Sequence, residues 1–318
     1  MARKSVSAGV DPERARSEHP GVSQPGADEG TAQSRWLMQL HCERVLGTLL
    51  RACDEAAIDV LPVKGIVSAR TLYADVSERA LSDIDVRVRR RDLPRIAALA
   101  RRHGFQLGAG TRSYGNATLF VDGRPIDVES HFGAPGVSRV SIDTVMARAT
   151  RTRGVFPFSC LIADPHDHAL LLVMNAYKDH MSQAMAWAIR DLERVVRAPW
   201  FVRDILFSRA SEAGVRAMLW IVADWMAREM LDDAWAELRA AMGHPPRPHF
   251  IAMHRRLQGA TGRSELALRV LSRFGSDAPA QWLRAGAKMV GWQAEAWLSQ
   301  FGDRPYSRGV VVPARTRR

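Results

Sequence analysis

The sequence predicts an α+β fold, with a small mixed β-sheet, flanking helices and then a helical C-terminal region. Between about residue 34 and residue 160, short apolar runs typical of strands alternate with helical segments. The dipeptide Asp122-Gly123 separates two such runs and is typical of a tight hairpin. From Asp164 onward the apolar residues recur at helical spacing, which indicates a change from mixed structure to helices.

The composition is that of a folded protein with excess positive charge. Hydrophobic residues make up 47% and charged residues 25% of the 318 residues, which is typical of a globular protein with an ample core. The net charge of +11 favours anionic partners such as nucleotides, nucleic acid or acidic lipid. Arginine is spread along the whole chain, however, so a coding bias explains the excess at least as well.

The cysteines and the apolar runs bear on the cellular compartment. Cys42, Cys53 and Cys160 form no metal-binding spacing and no plausible disulfide framework, so we expect free thiols in a reducing cytoplasm. No apolar run follows the first basic residues, so no signal peptide is expected. The longest apolar run, 169–174, is too short to cross a bilayer, and no membrane partner is expected.

Four regions are predicted along the chain. Residues 1–33 are rich in Gly, Pro, Ser and charge and should be disordered, and the basic tail 303–318 should be loose. Between these tails lie the αβ core, residues 34–160, and the helical region, residues 161–302. The expected helices are near 36–57, 65–73, 92–103, 164–180, 183–197, 201–212, 214–241, 247–258, 264–274 and 279–300, and the expected core strands end at Val63 or span 83–88, 105–107, 117–121 and 124–129.

A pair of carboxylates dominates the core. Asp83 and Asp85 alternate with Ile84 in a predicted strand, so both carboxylates lie on one face of the sheet. Two carboxylates held side by side repel one another unless a cation or a proton lies between them. The structural alternative is a solvated pair at the edge of the sheet, with its charge balanced by arginines. That alternative suits an isolated pair of aspartates, but this pair is preceded by Lys64-Gly65.

Lys64 and Gly65 stand upstream, between an apolar strand and a helix. The first amides of that helix, its dipole and the lysine charge together suit an anion such as phosphate. Lys64 also has the alternative of pairing with a carboxylate. A metal-binding acid pair beside a phosphate site is the combination that phosphoryl or nucleotidyl transfer requires.

The order Lys64-Gly65, Leu72-Tyr73, Arg79 and Asp83-Ile84-Asp85 resembles the uncharacterised nucleotidyltransferase family of the DNA polymerase β-like superfamily. The likeness extends over roughly residues 35–200, and one departure is Lys-Gly where the superfamily more often has Gly-Ser. The resemblance implies transfer of a nucleoside monophosphate, or a phosphoryl group, from an NTP to an acceptor hydroxyl. It also implies Mg²⁺ or Mn²⁺ as cofactor and a third carboxylate from a later strand.

Three residues on one face of the 124–129 strand and its end are candidates for completing the acid site. Asp127, Glu129 and His131 project to the same side. We choose Asp127 as the third catalytic carboxylate, because the resemblance and its apolar neighbours favour it. Glu129 is an alternative or additional metal ligand, or a rim residue that holds water or the acceptor. His131 is either an outer partner or a satisfied histidine at a strand end.

Further cofactor-binding residues follow from position and resemblance. Arg79 and Ser82 lie in the loop that leads into the acid strand. Arginine matches phosphate oxygens with a bidentate fork, but it equally often locks a loop to an aspartate. Lys178, His180 and Asp191 match a family-like Lys-x-His and Asp-Leu pattern, which implies helices that wall the nucleotide site.

The predicted function is therefore that of an NTP-dependent nucleotidyltransferase. The acceptor is a small molecule, a peptide or protein side chain, or an RNA end, and the resemblance suggests tailoring of a natural product or surface polymer. One rival is a nucleotide-binding sensor or antitoxin-like protein without turnover, although a binding module does not need three clustered carboxylates. Another is a nucleic-acid-binding protein, but no basic-aromatic stripe or helix-turn-helix supports it, and no sequence-specific DNA binding is expected.

Overall fold

The computed structural model describes residues 31–111, 115–178, 186–258, 267, 270–272 and 274–299. Its first part comprises α1 (Ala32–Glu55), β1 (Val60–Val63), α2 (Gly65–Thr71), β2 (Ile84–Val88), α3 (Leu93–His103), β3 (Gln106–Thr111), β4 (Asn116–Val121), β5 (Arg124–Glu129), α4 (Ile142–Arg148), β6 (Thr150–Thr152) and β7 (Cys160–Ile162). Its second part comprises α5 (Pro165–Lys178), α6 (Ala186–Val195), α7 (Arg203–Ala213), α8 (Arg216–Glu229), α9 (Asp233–Ala241), α10 (Pro248–Leu257) and α11 (Pro279–Ser299). The predicted α+β class is confirmed. Residues 1–30, the basic tail and most of the predicted 264–274 helix lie outside the described residues.

The main sheet has the strand order β1-β2-β5-β4-β3. Neighbouring strands in it are antiparallel except β2 and β5, which are parallel and pair Asp85 with Asp127. The β4–β5 connection is the predicted hairpin, and Asp122 and Gly123 both have positive φ, as a type I′ turn requires. The parallel pair is what brings residues far apart in sequence onto one level of the sheet.

The two faces of the sheet have different characters. Ile84, Val86 and Val88 of β2 are buried in an apolar cluster with α1 and α3. Residues of β2 at the intervening positions therefore point to the opposite face, because side chains alternate along a strand. On that face Leu61 and Val63 of β1 join a second cluster with helices of the C-terminal region. The apolar alternation thus explains why the acids project towards α5 and α6.

Two details differ from the expected elements. The predicted 214–241 helix is two helices, α8 and α9, because Leu231 has φ +53° and Asp232 caps α9 through the backbone N–H of Trp235. Strands β6 and β7 were not predicted, and they form a separate antiparallel pair. Three-residue strands carry too little alternation to stand out in a sequence. Within the described residues, no helix combines the length and the apolar character needed to cross a membrane.

Candidate active site

Three aspartates meet at the polar face of the sheet. Asp83 immediately precedes β2, Asp85 lies within it, and Asp127 of β5 is the direct partner of Asp85 in the parallel register. One carboxylate oxygen from each of the three side chains lies within 4.8 Å of the other two. This grouping, called the acid trio below, is the geometry expected for Asp83, Asp85 and Asp127, while their catalytic role stays a prediction.

The trio concentrates negative charge at a site that is partly buried from solvent. Asp85 is 5% exposed, and Asp127 is half-buried. Burial raises the pKa of Asp127, and the charges of Asp85 and Asp83 raise it further, while a hydrogen bond donated by the Thr118 hydroxyl (3.0 Å) lowers it. Such a set of carboxylates is stabilised by a cation.

A hard divalent cation fits this donor set. Every ligand that the trio offers is a carboxylate oxygen, the type that Mg²⁺ and Mn²⁺ prefer. Ligands about 2.1 Å from Mg²⁺ lie at most about 4.2 Å apart, so small side-chain rotations are enough for three oxygens to share one ion. The residues present are therefore compatible with the metal that the sequence predicts.

Lys64 contacts the trio directly. Its ammonium lies 2.5 Å from Oδ1 of Asp85, so the predicted alternative of a carboxylate partner is realised. The residue stands between β1 and α2 with φ +58° and ψ −136°, a backbone conformation that side chains rarely adopt. The buried imidazole of His168 hydrogen-bonds to the Lys64 backbone, and burial lowers the pKa of His168 to about 4. A neutral histidine thus supports the strained turn that presents the lysine.

Glu129 lies outside the trio. It is the register partner of Arg87, and the two side chains form an ion pair of 2.9 Å. Arg87 is 2% exposed and Glu129 is 24% exposed, so the glutamate neutralises a buried guanidinium. Its predicted role as an additional metal ligand is not supported by this contact and stays a prediction. For His131, the third candidate, Nε2 lies 3.4 Å from Nη1 of Arg90.

Arg79 locks its loop to an aspartate, the second of its two predicted alternatives. Its Nε donates to Oδ1 of Asp191 (3.2 Å) and its Nη2 to Oδ2 (3.1 Å). The guanidinium covers Gly65, where a Cβ atom would lie 3.0 Å from Nη2. A side chain at position 65 would therefore push against the guanidinium of Arg79 and the end of Leu81. Helix α2 has only seven residues, and the predicted phosphate contact at its start stays untested.

The trio opens into a cavity of about 340 Å³. The predicted residues Ser82 and Lys178 line it, and the Ser82 hydroxyl donates to Oδ1 of Asp83 (2.8 Å). The complete lining is Lys64, Gly65, Arg79, Ala80, Leu81, Ser82, Asp83, Asp85, Asp127, Glu129, Leu172, Asn175, Lys178, Trp187, Ala188 and Asp191. His180 lies outside the described residues. The structure therefore places the predicted catalytic, metal-binding and cofactor-binding residues around one cavity, whereas His131 does not line it.

Arg87, Thr118 and Trp187 were not predicted from the sequence. Arg87 continues the alternation of Asp83 and Asp85, and this signal was available. Thr118 reaches Asp127 only through the hairpin register of β4 and β5. Trp187 is buried on α6, where helical spacing alone does not distinguish a cavity wall from the core.

Comparison with known proteins identifies the family of the chain. A family model described as an uncharacterised nucleotidyltransferase matches residues 35–232, which is more than half of the chain. The chain therefore belongs to this family of nucleotidyltransferases, as the motifs in the core predicted, and membership supports nucleotidyl transfer as its general activity.

A similar solved structure is that of the antibiotic-resistance factor ANT(2'')-Ia, with 11% sequence identity and a TM-score of 0.41. The match covers 70% of this chain and 100% of that chain. No curated protein matches the sequence.

Proposed function

We propose that the protein transfers a nucleoside monophosphate from an NTP to an acceptor hydroxyl, with Mg²⁺ or Mn²⁺ bound by the acid trio. The observation that carries the proposal is the trio itself: Asp85 and Asp127 lie level on parallel strands and Asp83 lies beside them, at a cavity that Lys64 and Lys178 also line. Carboxylates alone would repel a triphosphate, so the lysines and a bound cation are needed to attract it.

The proposal gives the aspartates and the lysines of the cavity different roles. Asp83, Asp85 and Asp127 hold the cation, and Lys64 and Lys178 offer positive charge to the phosphate oxygens. When bound, the cation neutralises phosphate charge and lowers the pKa of the attacking hydroxyl. The acceptor oxygen attacks the α-phosphorus, the bond from that phosphorus to the α–β bridging oxygen breaks, pyrophosphate leaves, and the hydroxyl proton passes to water.

The acceptor belongs to one of three classes: a small molecule, a peptide or protein side chain, or an RNA end. We favour tailoring of a natural product or surface polymer, on the basis of the family resemblance. The three cysteines are all free and buried, which is consistent with a reducing cytoplasm where NTPs are available.

Labelled nucleotides test the proposal. The protein is incubated with a host extract, Mg²⁺ or Mn²⁺, and NTPs labelled at the α-phosphate or, in parallel, at the γ-phosphate. We expect the α-label to enter an acceptor, pyrophosphate to be released, and a chelator or Asp83→Asn to abolish both. Asp204→Asn is the matched control, because Asp204 is exposed on α7 and does not line the cavity.

The other outcomes are distinguishable. Transfer of the γ-label alone would assign phosphoryl transfer instead. Binding of NTP without transfer of either label would favour the sensor or antitoxin-like function. Transfer that survives both the chelator and Asp83→Asn would refute the metal site at the trio.

A further inference from the structure

Asp191 is a buried carboxylate that joins three parts of the molecule. It lies on α6, it is 1% exposed, and it also lines the cavity that contains the acid trio. Its Oδ1 accepts a hydrogen bond from the Tyr73 hydroxyl (2.7 Å), and both oxygens accept from the guanidinium of Arg79. Burial lowers the pKa of His168, the residue that hydrogen-bonds to the Lys64 backbone, and the nearby charge of Asp191 opposes part of that lowering. Helix α6 is thus hydrogen-bonded at two points, Tyr73 and Arg79, to the segment between α2 and β2.

The link to Arg79 bears most directly on the trio. Arg79 begins the segment 79–83, which ends at Asp83, immediately before β2. Asp85 and Asp127 are held by strand pairing, but Asp83 precedes the first residue of its strand. The position of Asp83 therefore depends on how the 79–83 segment is held. Arg79 fixes that segment at one end through Asp191 and through a hydrogen bond from its own Nη1 to the Ala80 carbonyl.

The charges explain why a carboxylate is needed at this place. The Arg79 side chain is largely buried, and it also lies over the ring of Trp187 at 5.9 Å. A buried guanidinium without a counter-charge is costly, and a bidentate carboxylate gives it a single orientation. A neutral amide of the same shape would keep at most one of the two ionic hydrogen bonds and would remove the charge.

We propose that Asp191 is a positioning residue, which sets the place of Asp83 in the trio through Arg79. It is not one of the three carboxylates that offer an oxygen to the proposed cation, and it acts through Arg79. Its effect is to keep the third carboxylate oxygen within reach of the ion that Asp85 and Asp127 bind. The inference rests on the proposed function for its metal readout, whereas the effect on the 79–83 segment can be observed without any metal.

Asp167 provides a matched control. It is also 1% exposed, and it also accepts two hydrogen bonds from one guanidinium, that of Arg148, at 2.8 and 2.9 Å. It does not line the cavity of the trio. Asp167→Asn should therefore remove a comparable buried ion pair without moving Asp83. Comparing it with Asp191→Asn separates loss of stability from loss of positioning.

The experiment measures two properties of the wild type, Asp191→Asn and Asp167→Asn. The first is amide hydrogen exchange of residues 79–83, and the second is the Kd for Mn²⁺ without nucleotide. In Asp191→Asn we expect faster exchange at 79–83 and a Kd for Mn²⁺ that is about 10- to 100-fold higher, as for other residues that orient metal ligands. In Asp167→Asn both should stay at the wild-type value, even if the melting temperature falls. Arg79→Gln removes the other partner of the same ion pair, and it replaces Asp191→Asn in both measurements if Asp191→Asn does not fold.

Two results would overturn the positioning role. One is unchanged exchange at 79–83 in Asp191→Asn, and the other is an equal rise in the Kd for Mn²⁺ in Asp167→Asn. If exchange changes as expected but the wild type binds no Mn²⁺, positioning stands and the proposed metal-dependent function fails.

Discussion

Two successive levels of the same two strands hold opposite arrangements of charge. On one level, the carboxylate row, Asp85 of β2 lies opposite Asp127 of β5. Two residues further along both strands, in the ion-pair row, Arg87 lies opposite Glu129 and bonds to it. Burial and backbone geometry are similar, so the difference lies in the side chains. Like charges opposite one another destabilise a sheet, whereas opposite charges stabilise it.

The comparison predicts different roles for the two rows. In the ion-pair row the charge of the buried Arg87 guanidinium is balanced within the sheet by Glu129. The carboxylate row needs an external positive charge, which Lys64 supplies in part. We therefore expect substitutions in the carboxylate row to affect activity and those in the ion-pair row to affect stability.

The largest effect is expected for Asp127→Asn. Loss of a metal-binding carboxylate should lower the transfer rate about a thousandfold, since the cation contributes several kcal/mol to the transition state. Thermal stability without metal should be unchanged or higher, because repulsion with Asp85 is removed and the amide oxygen still accepts from Thr118. The transfer rate with α-labelled NTP and the melting temperature check both parts.

Acid should abolish any stability gain of this variant. The folded-state pKa of Asp127 is raised, so protonation relieves the repulsion in the wild type as the pH falls. The two proteins should therefore converge in free energy of unfolding as the pH falls through the folded-state pKa of Asp127. A variant that unfolds, or one that keeps most of its transfer activity, would contradict the assignment of the carboxylate row.

The reverse result is expected for Glu129→Gln in the ion-pair row. It leaves the buried Arg87 without its counter-charge, which should lower the free energy of unfolding by about 2 kcal/mol. The Kd for Mn²⁺ should change by less than about threefold, because Glu129 does not belong to the trio. Urea unfolding and Mn²⁺ titration measure the two effects. A lost Mn²⁺ site at unchanged stability would instead make Glu129 a metal ligand, and the comparison of rows would fail.

A smaller effect is expected when Lys64, whose ammonium pairs with Asp85 in the carboxylate row, is replaced. Lys64→Met abolishes the 2.5 Å contact with Asp85, so a metal ion no longer competes with the ammonium. Without nucleotide, Mn²⁺ should bind about tenfold more tightly, and NTP should bind more weakly, since a phosphate partner is also lost.

Lys178→Met is the control for this experiment. Lys178 lines the same cavity but is exposed at the end of α5, so its removal should change the Kd for Mn²⁺ much less. Equal changes in the two variants would mean that the lysines act only through the general field of the cavity, and that the contact with Asp85 has no special effect.

Much of the local structure could be predicted from the sequence by itself. The alternation around Ile84 places Asp83 and Asp85 on one face, and Asp122-Gly123 ends one strand and begins the next. These features depend on residues that are close in sequence, so spacing and turn chemistry are enough to determine them. The same reasoning places Asp127 and Glu129 on a common face of β5.

Only the tertiary structure decided which groups meet. The parallel register of β2 and β5 sets Asp127, and not Glu129, level with Asp85. The partner of Arg79, Asp191, lies 112 residues further along the chain, and that of Lys64 lies 21 residues along. Strand register and ion-pair partners depend on how buried faces pack across the whole domain, which local patterns of spacing do not contain. For this reason the sequence determined the kinds of residues at the site, and the packing of α5 and α6 against the sheet determined their arrangement.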